Sequence, residues 1–290
     1  MITILQLATG GVAMGFVYAL SAMGIVLIYR AAGVVNFAQG SLVMLGAYVA
    51  TSCIETLKLP MIGAIIAAVI IMAGVGAIFQ RVAYYPLRYA GIIPVVISTI
   101  GVSVFLNNGV YVIWGTYPKF LPPIAGSGTI TIFGTSIPLQ NIAIALMAVA
   151  LLFFQAYFFN KTWLGKKMQA VAQHQDTAAL MGIKVSRMIT FTFMYSTALA
   201  AIAGIFAGPI FFVSPGIAQI LSKAFAASVV GGFGSVPGAV VGGIFVGLVE
   251  TFGAYFISSA YRDAWAFGLL ILFLLFRPQG IFGEPISEKV

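Results

Sequence analysis

Residues 4–28 read ILQLATGGVAMGFVYALSAMGIVLI, a run with no charged side chain and only Gln6, Thr9, Tyr18 and Ser21 as polar interruptions. A bilayer core of about 30 Å needs roughly 20 apolar residues in a helix, so this run is long enough to cross one. It is too long for a signal-peptide core, has no basic residue ahead of it and shows no clear cleavage site, and is therefore expected to be a retained span.

Comparable runs recur near 34–54, 61–80, 92–115, 137–159, 188–212, 217–233, 237–257 and 264–276. Hydrophobic residues make up 61% of the 290 positions and charged ones 7%, too little polar surface for a protein dissolved in water. The runs are continuous rather than alternating, which favours helices over the strands of a membrane barrel. The expected fold is all-α: a polytopic transmembrane helical bundle of about eight or nine spans, forming one transmembrane domain over 1–290 with a cytoplasmic loop at 160–187. The second and seventh runs carry polar breaks, at Asn36, Gln39 and Gly40 and at Lys223 and Gly231 to Gly234, and are expected to be broken or re-entrant.

Basic residues concentrate in one set of connections. Arg30, Arg81, Arg88, Lys161, Lys166, Lys167, Lys184, Arg187, Arg277 and Lys289 fall on one side of this layout, and Lys58, Lys119, Lys223 and Arg262 on the other. The positive-inside rule makes the first side cytoplasmic and puts the N-terminus outside if the first three runs all cross. The same distribution explains the net charge of +8 without nucleic acid, since the basic residues form no dense run. On the outer side, Thr116 to Ser136 is rich in Pro, Gly and Thr and reads as a short cap or ribbon, serving as a connector or contacting a partner.

The inner segment 160–187 has Met168, Val171, Ala172 and Ala179 at roughly helical spacing among Lys166, Lys167, Gln169, Gln173 and His174. Asp176 is expected to cap a short helix from Thr177 to Met181, and Gly182 suits the left-handed position that ends one. The segment should lie across the cytoplasmic face.

Polar groups inside apolar runs are costly in hydrocarbon and should face a cavity or another helix. Asn107 and Asn108 lie near the middle of the fourth run and Glu250 lies well inside the eighth. Glu250 is a pathway residue, the partner of a basic side chain, or a protonated donor. Asn36 and Gln39 either satisfy backbone groups freed by a helix break or line a passage for a polar solute. Glycines four apart, Gly11 with Gly15, Gly234, Gly238 and Gly242, and Gly243 with Gly247, let helix backbones approach closely, within the chain or across a dimer face.

Several chemistries are excluded. The glycine-rich stretch Gly231 to Gly243 has no Lys followed by Ser or Thr, so the chain itself is not expected to bind or hydrolyse ATP. The single histidine, His174, sits beside Gln173, Gln175 and Asp176 and has no partner nucleophile in its surroundings, so no catalytic residue is assigned. Cys53 is the lone cysteine, which rules out an intramolecular disulfide and leaves no metal-site expectation.

Three motifs carry a family resemblance. The run Val35-Asn36-Phe37-Ala38-Gln39-Gly40-Ser41, the loop Ala178-Ala179-Leu180-Met181-Gly182-Ile183 and the tail Leu275-Phe276-Arg277-Pro278-Gln279-Gly280-Ile281-Phe282-Gly283 resemble those of branched-chain amino acid permeases of the LivH type, in matching order over nearly the whole chain. The resemblance implies a permease in the bacterial inner membrane, working beside a LivM-like second permease, two cytoplasmic ATPases that use ATP, and a periplasmic solute-binding protein. It further implies that a short cytoplasmic helix docks into an ATPase groove, a role that falls on Asp176, Ala178, Ala179 and Gly182. The family's acidic first position reads Thr177 here, one residue after Asp176. Two other classes remain open to the residues alone: an ATPase-independent channel or secondary transporter working through Glu250, and a purely structural membrane subunit.

Overall fold

In a computed structural model, residues 2–126, 128–132 and 135–283 are described. Lys289, expected on the cytoplasmic side, lies outside them. The elements in chain order are α1 (Ile2–Ala32), α2 (Gln39–Glu55), α3 (Met61–Phe79), α4 (Ile92–Trp114), a hairpin of β1 (Thr129–Ile132) and β2 (Thr135–Pro138), α5 (Leu139–Lys161), α6 (Trp163–Gln173), α7 (Gln175–Leu180), α8 (Val185–Phe211), α9 (Ile220–Gly231), α10 (Val236–Phe256) and α11 (Arg262–Phe276).

Each of the nine apolar runs becomes a helix. Seven segments are long and apolar enough to cross a bilayer: Thr3–Ala32, Met61–Leu87, Ile92–Trp114, Leu139–Lys161, Val185–Phe211, Val236–Phe256 and Ser259–Phe276. The two that fall short are α2 and α9, the runs with polar breaks. At 17 and 12 residues they reach about 25 and 18 Å. The hairpin is the expected outer ribbon. It packs on the start of α1, where Gln6 Nε2 donates to the Ser136 carbonyl at 3.2 Å.

The bundle is built around α1, whose apolar window is 94% buried against 11% for those of α4 and α11. All these helices are apolar, so hydropathy does not sort them; close backbone approach marks the inner ones. Lipid tails are as apolar as leucine, and helices associate in them through close packing. Along α1, Gly11, Gly15 and Ala19 meet Leu248, Ile244 and Gly243 in turn, so α1 and α10 run antiparallel with their backbones in contact. A Cβ added at Gly243 would lie 2.6 Å from the Ala19 nitrogen, and Gly247 is as tightly set against Gly15. Gly238 and Gly242 face Gly231 and Ala227 of α9. All four of these glycines therefore meet helices of the same chain.

Contacts sort the chain ends into two faces. Gln80, at the end of α3, accepts from the Thr190 hydroxyl near the start of α8, and the tail residues Ile281 and Phe282 donate their N–H groups to the Val230 and Gly231 carbonyls at the end of α9. Arg81, Arg88, Lys184, Arg187 and Arg277 thus share the end occupied by Arg30 and the 160–187 segment. At the opposite end Lys119 pairs with Glu55, and its backbone bridges to Val213. The positive-inside rule assigns the first end to the cytoplasm.

Two outcomes are expected. Gly243→Val should destabilise the bundle by about 1–3 kcal/mol through overpacking, whereas Gly10→Val, where an added Cβ meets nothing within 4 Å, should leave the thermal midpoint nearly unchanged in detergent. In a Cys53→Ala background, an impermeant thiol reagent applied to intact cells should label Tyr117→Cys and leave Lys166→Cys unlabelled.

Candidate functional site

The segment after α5 turns back on itself within one residue. Thr162 takes an extended conformation, its hydroxyl accepts from Gly165 N at 3.0 Å, and α6 starts there. Gly165 seats against α5, where a Cβ would lie 2.7 Å from the Phe159 Cα. Met168 and Val171 are buried on the bundle while Lys166 and Lys167 face solvent. The helix is therefore amphipathic and lies on the basic face.

His174 breaks the path with an extended backbone, and α7 begins at Gln175, two residues before the expected Thr177. This corrects the capping role expected for Asp176. The His174 carbonyl already accepts from Ala178 N at 3.0 Å, so His174 is the boundary and Asp176 sits inside the first turn, where its charge meets the positive end of the helix but caps nothing. The far end is as the sequence suggests. Gly182 has φ +79°, Gly182 N donates to the Ala179 carbonyl and Ile183 N to the Ala178 carbonyl, both at 3.0 Å, which closes the helix with a Schellman pair. Gln175 Nε2 reaches the Ala31 carbonyl at 2.8 Å and ties α7 to the end of α1. Ala178 is buried against the body. Ala179 is exposed, and beside it Leu180 and Met181 stand 88% and 78% exposed.

A second cluster lies about 12 Å inside the basic face, counted from Gly24 to the end of α1. The chain from Gly33 to Ala38 leaves the helical path there and α2 starts at depth. Asn36 Oδ1 accepts from Ala38 N at 3.0 Å, and its amide donates to Gln39 Oε1 at 3.4 Å. Gln39 Oε1 also accepts from the Ser196 hydroxyl of α8, which reaches the Gly24 carbonyl as well. Asn36 and Gln39 are wholly buried, and Gln39 Nε2 has no partner among the described residues. Two residues on, Ser41 bonds the Ser103 hydroxyl at 2.7 Å and Asn107 Oδ1 at 3.2 Å, joining α2 to α4. Asn108 points away from this seam on the exposed side of α4, bonded to the Val104 carbonyl of its own helix.

Glu250 belongs to neither cluster. It is 1% exposed, and its Oε1 accepts from Lys223 Nζ of α9 and from Arg262 Nε of α11, each at 2.7 Å. Lys223 also pairs with Asp263 at 2.8 Å. The group borders a cavity of about 240 Å³ with Tyr18 and Phe211 in its wall. Among the described residues no three His, Cys, Asp or Glu side chains come together as metal ligands would.

A family described as "Branched-chain amino acid transport system / permease component" matches residues 7–276. The chain belongs to that family. The high-affinity branched-chain amino acid transport system permease protein BraD of Pseudomonas aeruginosa is 37% identical to this permease, over 99% of the chain and 98% of its own length. LivH of Escherichia coli K12 is 34% identical over 99% and 97%. In fold, the permease is similar to the solved structure of PsaBC from Streptococcus pneumoniae in complex with Fab, with a TM-score of 0.50 and 12% identity over 93% of this chain and 91% of that one.

The permease thus holds three polar groupings. Sequence reading reached Asn36, Gln39, Asn107 and Glu250 but not their partners. Ser41, Ser103 and Ser196 look like ordinary small residues of a packed span. Lys223 and Arg262 count as outer-loop cations until the fold sets them on one carboxylate. Leu180 and Met181 carried a signal that was available: two large apolar residues at the end of a short helix, directly before its closing glycine.

Glu250→Leu would leave two cations facing a buried apolar side chain, a loss of about 3–5 kcal/mol for a buried pair stripped of one partner. The thermal midpoint of the purified permease should fall steeply. Glu250→Gln, which keeps the size and an acceptor oxygen, should fall by less. Lys223→Met in the Glu250→Leu background should recover part of the loss.

Proposed function

We propose that this permease is the membrane-spanning subunit of an ABC importer for branched-chain amino acids in the bacterial inner membrane. It works beside a LivM-like second permease, receives solute from a periplasmic binding protein, and is driven by ATP bound and hydrolysed in two cytoplasmic ATPase subunits. The chain itself has no catalytic role and carries no cofactor. Full-length similarity to BraD and LivH supports the cargo and the class of system.

The observation that carries the coupling role is the exposed tip of α7. Leu180 and Met181 project from the basic face next to Ala179, on a short helix closed by Gly182 and fastened to α1 through Gln175. Large apolar side chains standing in water at a helix end suit insertion into a groove on a partner, and the small Ala179 lets the groove wall come close. Asp176 adds a charge at the helix start, and the buried Ala178 seats the helix on its own body.

For the pathway, α4 is the proposed lining. It carries Asn107 and the exposed Asn108 on a helix that is otherwise almost wholly unburied, and such amides are unfavourable against lipid tails. A position between the two permeases gives them a wet or protein surface. Asn36 and Gln39 would hold the broken start of α2 behind that lining. Glu250, already held by two cations, is assigned a structural role, which counts against a gradient-driven carrier built on that carboxylate.

Leu180→Ser and Ala179→Arg should each lower ATPase co-purification by about thirtyfold or more, corresponding to the ~2 kcal/mol of an interface hot spot. Gly182→Val, which forces a β-branched residue to positive φ, should also reduce it. All three should insert normally, and amino-acid uptake should fall with association. Variants with normal association and uptake would transfer the reading to an ATPase-independent channel.

A further inference from the structure

A cavity of about 610 Å³ bordering the basic face lies between α5 and α10, with α1 behind it and α6 as one wall. Its interior is apolar, formed by Leu27, Leu152, Phe159 and Val241, and Arg30 stands in its lining beside Asn160 and Gln173. Arg30 has no ion pair among the described residues, and neither do Lys161, Lys166 and Lys167 nearby. Gln155 also lines the cavity. It is 3% exposed, and neither its Oε1 nor its Nε2 has a hydrogen-bond partner among the described residues. A buried amide left unpaired costs a few kcal/mol, so this one calls for a polar group inside the cavity.

We propose that the cavity binds one anionic phospholipid of the cytoplasmic leaflet. The three features occur in the order a phospholipid presents them. Arg30 and the Asn160 and Gln173 amides at the mouth suit the phosphate, a site for charge-assisted hydrogen bonds. Gln155, six residues from the end of α5 and so about 9 Å deeper, suits the ester carbonyls, with Nε2 donating. The apolar interior takes an acyl chain. A free amino acid would leave most of this volume empty, and the lining contains no carboxylate to meet its ammonium. The neighbouring α6 has the form of an interfacial helix, with lysines on its outer face and Trp163 exposed at its start. Since α6 leads into α7, a lipid in this cavity supports the base of the proposed docking tip. The lipid site itself does not depend on that docking role.

The test is native mass spectrometry of the full-length permease in detergent, titrated with phosphatidylglycerol or phosphatidylcholine. One phosphatidylglycerol per chain should be retained, in preference to phosphatidylcholine. Arg30→Gln should weaken retention about five- to tenfold, the effect of one interfacial cation, and Arg30→Lys should largely preserve it. Gln155→Leu should weaken it several-fold, and Val241→Trp, which fills the cavity without touching a polar group, should abolish it. Equal retention of both lipids, or phosphatidylglycerol binding indifferent to Arg30→Gln and Val241→Trp, would mean belt lipid only and overturn the proposal. So would displacement by millimolar leucine, or loss of the bound lipid on assembly with the second permease, which would show that a protein face covers the cavity.

Discussion

Backbone contact between α1 and α10 is the constraint around which this bundle is organised. In lipid there is no gain from hiding one apolar side chain behind another, so cohesion comes from contact area and from hydrogen bonds that hydrocarbon cannot replace. Gly15, Gly243 and Gly247 bring the two helices to a separation that no larger residue permits. With α1 fixed as the inner post, α8 and α9 also pack against it, and many large apolar side chains of the peripheral helices are left to the outside. Hence α3, α4 and α11 expose Ile, Val, Phe and Leu around the perimeter.

The same scarcity of water governs the polar groups. Breaking a helix inside a membrane frees N–H and C=O groups that must find partners in protein. The chain does so before α2 at Asn36, which turns the backbone by accepting from Ala38 N, and the Thr99 hydroxyl accepts from Phe37 N at 3.2 Å. Hydroxyls from α8 and α4 then extend the repair sideways, so that the break is stitched to two other helices. Such a joint is local, hydrogen-bonded and free of large packed side chains, the kind of place where a short helix can change its angle without unpacking a core.

Sequence alone disclosed a good part of this. Nine apolar runs became nine helices, the two runs with polar breaks are the two outside the seven candidate spans, and Gly182 occupies the left-handed turn expected of it. Run length and backbone conformation are local properties, and the chain writes them locally. The partners of Glu250 are not local: they lie 27 residues before it and 12 after it, on two other helices. Nor could hydropathy distinguish the buried α1 from the exposed α4, because lipid and protein interior select the same residue types. The cap expected at Asp176 was displaced by His174, whose extended backbone ends α6 and starts α7 in one step, a choice made by the packing of α6 on α5 rather than by capping preference.

Charge placement ties these features to a direction of working. Among the described residues three of the four carboxylates, Glu55, Glu250 and Asp263, lie toward the outer end, and each is paired with a cation there. Lys119, Lys223 and Arg262 are thereby neutralised, while the cations of the inner face have no ion pair among the described residues and suit an anionic leaflet. The outer half is stitched by ion pairs across α9, α10 and α11, and the inner half meets its surroundings through the α6–α7 segment. Within that segment α6 packs on the bundle through Met168 and Val171, and at the start of α7 Gln175 bonds the end of α1. A displacement of α7 would therefore reach the central post directly. From there it passes to α10 through glycines in contact, a route with little side-chain slack to absorb it.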